Sequence, residues 1–519
     1  MAALPIGELL RFHADRKSSE AIGLHVLGAE RVDLSWGELD RRSNRRAAQL
    51  GAAGVTTDDF VMVALPNGIK LFETTFAIWK AGATPLMVSR QSPAAELRAI
   101  IDIARPKAIV SDLRIAADQI TILNVDEPID GYPAHAVQTI QPARHWKAIT
   151  SGGSTGRPKV IVDHKPATFD PGEAFMGQPP GGVVLNPGPL YHNGPFLFSH
   201  SALFAGAQLV CMERFDPEEF LRVVQRYRVQ WTAVVPTMMH RIMALPESVR
   251  CKYDLSSLQR VLHFAAPISR PLKEAWLEWL GADRTVELYA ATEAVGVTMI
   301  SGSEWLAKRG SVGRPVMGSR IRIVDDDGFD VPAGTIGEVY MTGPAGPRNS
   351  YHYLGAERRV DPNGWESVGD LGWLDSDGYL FLADRRTDVI LRGGANIYAA
   401  EVEGALEQFD GVRGAVVIGL PDPDLGQRVH AILETGRDSR PVADQLTEHL
   451  QAIIAKYKVP ESYEFVDVPL RDDAGKVRRS KIRDERVTSL AAGDWLPPIQ
   501  IRPFGASTRP SAKPSEVRP

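Results

Sequence analysis

The 519-residue chain has only two cysteines, Cys211 and Cys251. So few argue against a disulfide framework and against a cysteine-based zinc site. Cys211 lies inside the apolar run 208–212 and reads as a core residue rather than a nucleophile. Charge of one sign is also scarce. The net charge is −5, with no long basic block and no polybasic helix, so neither a nucleic acid nor a membrane surface is expected as a partner. No apolar run is long enough to cross a bilayer. The N-terminal residues lack the basic, apolar and small-residue succession of a signal peptide. A cytoplasmic protein is therefore expected. What remains is a chain 44% hydrophobic and 24% charged, the balance of a globular protein. It is too long for a single core, so at least two domains are expected.

One stretch stands out, Thr150-Ser151-Gly152-Gly153-Ser154-Thr155-Gly156-Arg157-Pro158-Lys159. Glycines let a main chain approach a ligand closely, and successive exposed N–H groups make an anion-binding concavity. The serine and threonine hydroxyls, Arg157 and Lys159 add donors and positive charge. A polyphosphate is the natural guest. A Walker A loop would need Gly-Lys-Ser/Thr opening a helix. Here Arg157-Pro158 follows Gly156, and the flanks 146–149 and 160–162 are short, apolar and partly β-branched, so both read as strands. A plain glycine-rich hairpin is the competing reading of this stretch alone.

Strands and helices alternate on both sides of the loop. Strands are expected at 60–65, 84–88, 107–111, 231–235, 259–264 and 287–289, and helices at 70–80, after Ser92-Pro93, and after Asp216-Pro217. The alternation implies parallel βαβ units in an α/β domain. From about Gly310 the texture becomes a β-rich layer of antiparallel strands, at 320–324 and 337–342, with Asp-Gly turns at 327–328 and within 375–384. The charged DRRTD run, 384–388, marks a boundary. Beyond it come a helix at 399–409, strands at 413–420 and 427–434, and a helix at 442–457 with Leu446, Leu450, Ile453 and Ile454 on one face. The expected division is a domain at 1–384, a hinge at 385–388, a small mobile α+β domain at 389–488 and a disordered tail at 489–519.

Further stretches occur in a fixed order: PLYHNGPF (189–196), ELYAATEA (287–294), VGDLG (368–372), DRRTDVILRGGANIYAAEVE (384–403) and AGKVRRSKI (474–482). With the glycine loop they resemble the adenylate-forming superfamily of acyl-CoA synthetases, stand-alone adenylation domains and insect luciferases, over about 32–485. Within it the chain looks closest to bacterial fatty-acid, bile-acid and steroid-side-chain CoA ligases.

The resemblance implies ATP, Mg²⁺ and CoA as cofactors and substrates, together with a small-molecule carboxylic acid. A homodimer is carried as an expectation. By resemblance the loop Thr150 to Lys159 holds the β- and γ-phosphates, Thr292 bonds a phosphate, and Glu293 ligates Mg²⁺. Ala265, Ala266, Pro267, Glu287, Tyr289, Ala290 and Leu382 line the nucleotide, with adenine stacked on Tyr289. Asp370 takes the ribose hydroxyls, and Arg385 contacts ribose or phosphate. Lys476 is the adenylation lysine, bridging the attacking carboxylate and the α-phosphate. His192, Phe196, Val235, Met239, Phe264 and Gly296 line the acyl pocket, and His192 either gates the tunnel or orients the substrate carboxylate. Gly393, Gly394, Ala395 and Asn396 line the pantetheine tunnel. Arg386, Thr387 and Asp388 form the hinge, although the family usually has an acid or lysine where Thr387 stands.

The segment 186–210 contains no Asp or Glu to pair with a substrate ammonium, which disfavours amino acids and favours a hydrophobic acid. The expected reaction is acyl-AMP formation with pyrophosphate release, then transfer to CoA. Delivery to a carrier protein and a nucleotide-binding regulator without turnover are the alternatives.

Overall fold

Short apolar strands separated by capped helices build two sheets in the first part of the chain. The computed structural model describes residues 2–113, 115, 120–135, 140–152, 158–343, 346, 350–436, 440–472, 475–492 and 499–500. The chain divides into two units, Met1–Thr387 with Arg471–Lys476, and Asp388–Leu470 with Val477–Pro519.

In the first unit a seven-stranded sheet runs in the order Tyr351–Leu354, Pro158–Asp163, Ala148–Gly152, Thr84–Met87, Phe60–Ala64, Ala108–Ser111, Thr121–Asn124. The last five are parallel to one another, and Pro158–Asp163 runs antiparallel to both of its neighbours. Helix Ile69–Lys80 links two of the parallel strands, and Leu71 to Lys80 are all buried. Helix Ala94–Ala104 starts one residue later than the Ser92-Pro93 pair suggests. Pro93 itself holds the cap position, and no side chain caps the helix. Helix Pro217–Tyr227 starts as its sequence dictates, with Asp216 accepting from the Glu219 N–H at 2.8 Å and Pro217 in the first turn.

The second sheet has a parallel core of Ile22–Leu27, Gln208–Met212, Val183–Asn186, Trp231–Val234, Arg260–His263 and Thr285–Ala290. It then changes sense. Val297–Ser301 turns back antiparallel on Thr285–Ala290, because only residues 291–296 join them, too few for a crossover. The β-rich region is hydrogen-bonded to this sheet through Ser311–Pro315. The path runs through Ser311–Pro315, Leu380–Arg385 and Asp370–Leu374 to Gly337–Thr342. This change of sense is what places the turn carrying Thr292 and Glu293.

The second unit is an α+β fold. Val412–Asp422 and Gly426–Thr435 form a long hairpin, and Ser462–Val466 lies parallel to its second strand. Helix Ala443–Ile453 buries Leu446 and Leu450, but it ends earlier than its apolar pattern suggests. Ile454 is already extended at φ −127°, ψ 160°, and Ile453 is exposed. Helix Arg479–Ala492 and the strand Ile499–Gln500, paired with Ser462–Tyr463, correct the expected start of a tail at 489. The expectation for 493–498 and 501–519 lies outside the described residues. No helix among the described residues is long and apolar enough to cross a membrane.

Candidate active site

The glycine loop joins two antiparallel strands. Thr150 pairs with Val160, Ser151 with Lys159 and Gly152 with Pro158, which is the strand–loop–strand arrangement that separates it from Walker A. Gly153, Ser154, Thr155 and Gly156 lie outside the described residues, as does Arg157, and for Ser151 and Gly152 the description stops at the backbone. Thr150 is part of the strand, and its hydroxyl donates to the Met87 carbonyl at 3.1 Å. That bond ties the end of Thr150's strand to the neighbouring strand.

Lys159, at the far end of the loop, meets Glu293. Its Nζ donates to Glu293 Oε1 at 3.1 Å and to the Tyr353 hydroxyl at 2.9 Å, and it stands 4.1 Å from the centre of the Tyr353 ring. The Tyr353 hydroxyl donates in turn to Glu293 Oε1 at 2.6 Å. Burial pushes the Glu293 carboxyl up, but the Lys159 charge and the Tyr353 hydroxyl outweigh it and hold the group below the ordinary carboxylate range. Glu293 and the half-buried Thr292 lie in the turn after Thr285–Ala290, closed by an Ala294 N–H to Ala291 carbonyl bond of 3.0 Å.

A second cluster forms on the same strand end. The Tyr289 hydroxyl donates to Asp370 Oδ2 at 2.6 Å, and Arg385 Nε lies 3.2 Å from Asp370 Oδ1. Both carboxylate oxygens are therefore held. The strands carrying Asp370 and Arg385 pair these two residues directly. Burial, and then the Asp370 charge, drive the Tyr289 phenol well above its ordinary value, so it stays a donor. Ala290, at the strand end, is exposed, and Leu382 lies on the Arg385 strand. Ala265, with Ala266 and Pro267 after it, holds a left-handed φ of 76°, a conformation costly for a residue with a Cβ.

Other expected site residues have the following surroundings in the fold. Glu287 is buried and ion-paired with Lys273 from helix Arg270–Leu280, with His263 Nε2 at 3.8 Å. Its carboxylate is engaged by the Lys273 ammonium inside the fold. Phe196 is a core residue packed against Trp79, Trp146 and His200. Val235 and Met239 are buried in a second apolar cluster. Phe264 is half-buried, edge-on to Phe198, and a Cβ on Gly194 would come within 2.1 Å of its ring. A Cβ on Gly296 would strike Met341. His192 stands at the cap of helix Asn193–Phe204, half-buried, with its ring 4.3 Å from that of Tyr191.

Gly393 and Gly394, with φ of 55° and 82°, make the two-residue turn between Ile390–Arg392 and Ala395–Ile397. Two left-handed residues in a hairpin turn favour glycine on backbone grounds alone. In the expected hinge, Arg386 is tied into the first unit through Glu338 at 3.1 Å, Asp326 at 2.7 Å and the Gly369 carbonyl at 2.8 Å. Asp388 is tied into the second unit through Arg479, which also bonds Glu403 at 2.6 Å. Thr387 stands between the two anchors, where the division into units falls. Lys476 closes a turn in which its N–H donates to the Asp472 carboxylate at 2.9 Å, and the segment Arg471–Lys476 groups with the first unit.

The model of the AMP-binding enzyme family matches residues 12–351, and that of the AMP-binding enzyme C-terminal domain matches residues 401–476. The chain belongs to the AMP-binding enzyme family. Feruloyl-CoA synthase of an Amycolatopsis species is 32% identical over 464 residues, covering 87% of this chain and 93% of that one. A fatty acid–[acyl-carrier-protein] ligase of Streptomyces coeruleorubidus is 29% identical, with 91% and 95% covered. Among solved structures, o-succinylbenzoate CoA synthetase of Bacillus subtilis, in complex with its acyl-adenylate intermediate, aligns with a TM-score of 0.78. It is 25% identical, with 93% of this chain and 99% of that one covered.

Tyr353 was not legible as a site residue. Its strand reads as YHYL, and a tyrosine in an apolar strand carries no phosphate-site signature. Only the pairing of Tyr351–Leu354 with the strand after the loop brings it to Lys159.

Proposed function

We propose that this AMP-binding enzyme activates a hydrophobic carboxylic acid with ATP and passes the acyl group to CoA. A carboxylate oxygen attacks the α-phosphorus, the bond to the β-phosphate breaks, and pyrophosphate leaves. The CoA thiolate then attacks the acyl carbonyl and AMP departs. The observation that carries this reading is the pair of clusters on one strand end, Lys159 with Glu293 and Tyr289 with Asp370 and Arg385.

Asp370 and Tyr289 bind the nucleoside in this scheme, and Lys159 faces the departing phosphates. Glu293 suits Mg²⁺, since it is an ionised oxygen donor beside a cation. No group of three or more His, Cys, Asp or Glu residues fit for a metal occurs among the described residues, and Mg²⁺ commonly takes only one or two carboxylates together with substrate phosphates. When bound, the ion offsets charge on the pyrophosphate. Lys476 offsets charge where the carboxylate meets the α-phosphate. The small unit moves about Thr387 between the two half-reactions, a reading supported by the anchors on either side of that residue. An apolar acid is supported by the ring contacts of Phe198, Trp231 and Phe264 and by the absence of Asp or Glu in 186–210. A cytoplasmic location follows from the need for ATP and CoA.

The carrier-protein alternative is favoured by one of the relatives, named as a fatty acid–[acyl-carrier-protein] ligase. Incubation with ATP, Mg²⁺ and a panel of fatty and aryl acids, with free CoA or with an acyl carrier protein, separates the two. Mass spectrometry is expected to show acyl-CoA. Acyl-carrier product without acyl-CoA, under active adenylation, would replace the main reading by the alternative.

A further inference from the structure

Resting on the function proposed above, we propose that Tyr353 is a positioning residue of the phosphate and metal site, joining Lys159 to Glu293 and fixing which carboxylate oxygen is left for a divalent cation.

The hydroxyl of Tyr353 has one proton, and that proton goes to Glu293 Oε1 at 2.6 Å. The same oxygen of Tyr353 accepts from Lys159 Nζ at 2.9 Å, and the ammonium also lies over the ring face. Lys159 reaches Glu293 Oε1 as well. Two contacts, from Tyr353 and from Lys159, therefore meet at Oε1, and Oε2 has no hydrogen bond to another described residue. A bond to an ionised acceptor is among the stronger ones and carries directional preference. A carboxylate held through one oxygen presents the other in a fixed direction.

The brace is also tied to the loop. Tyr353 pairs with Ile161 across antiparallel strands, two residues on from Lys159. Its ring packs beside a small apolar cluster that includes Ile161, Val295 and Met341. The fold thus sets the ring, and the ring sets the hydroxyl.

Tyr353→Phe keeps the ring, its packing and the face beneath Lys159, and removes only the hydroxyl. ATP binding to the full chain without acid is measured by calorimetry, with Mg²⁺ present and with Mg²⁺ chelated. The Mg²⁺ needed for half-maximal acid-dependent pyrophosphate exchange is measured at saturating ATP. The expected result is roughly tenfold weaker binding of ATP with Mg²⁺, the loss of one charge-assisted hydrogen bond, and unchanged binding without it. The Mg²⁺ half-saturation rises by a similar factor, with the rate at saturating Mg²⁺ retained within about threefold. The melting temperature, which reports the packing of the ring, stays within about 2 °C.

Equal loss with and without Mg²⁺ assigns Tyr353 a merely structural role and overturns the proposal. So does a variant identical to wild type in both titrations. A wild-type chain that binds no ATP overturns the function proposed above along with this inference, whereas normal wild-type binding with an unaffected variant overturns this inference alone.

Discussion

Lys476→Ala is expected to lose acyl-adenylate formation by at least about a hundredfold while still converting supplied acyl adenylate and CoA to the thioester. A cation at the carboxylate and α-phosphate stabilises charge that develops only when those two groups combine. In the second half-reaction the mixed anhydride already exists, the leaving group is AMP, and that charge is no longer formed. Lys476 sits in a short turn closed on Asp472. Single-turnover measurements of each half-reaction check the expectation. Equal loss of both, or of neither, removes the assigned role.

Asp370→Ala is expected to raise the ATP requirement by about ten- to a hundredfold, the range for losing one or two hydrogen bonds to a charged acceptor. Both of its oxygens are engaged in the free protein, by Tyr289 at 2.6 Å and by Arg385 at 3.2 Å. Removing the carboxylate also frees the Tyr289 hydroxyl that it orders, so the loss exceeds one ribose contact. Tyr289→Phe removes only one of these bonds and has the smaller effect. The two changes share a partner, and together they fall short of their sum. Steady-state titration of ATP at saturating acid gives the values, and an unchanged ATP requirement in Asp370→Ala contradicts the ribose contact.

Much of this organisation is legible in the residues. The glycine loop lies between strands, Asp216-Pro217 starts a helix, and Asp370, Tyr289 and Arg385 come together. Those features rest on local chemistry, turn residues and caps, or on motifs whose order is preserved. What was not legible depends on neighbours distant in sequence. Glu287 reads as part of a nucleotide motif, but Lys273, fourteen residues earlier, holds it inside the fold. Phe196 reads as an acyl-pocket ring, yet Trp79 and Trp146 enclose it. Tyr353 becomes part of the site only through strand pairing, and no local pattern reports which strand a tyrosine will face. The apolar spacing continues past the end of helix Ala443–Ile453, while the backbone at Ile454 is already extended. The bond from the Thr150 hydroxyl to the Met87 carbonyl likewise depends on which strand lies beside it. The sheet's change of sense at 291–296 follows from linker length, which shows in the sequence only once both strands are known.

The central claim is that ATP is cleaved at its α-phosphate by a hydrophobic acid. Isotope exchange between labelled pyrophosphate and ATP tests it most directly, with purified protein, Mg²⁺ and a panel of fatty and aryl acids in the absence of CoA. Exchange that depends on one or more of these acids, with AMP as the only nucleotide product once CoA is added, is the predicted result. Release of ADP and inorganic phosphate, or no acid-dependent exchange across the panel, would contradict it.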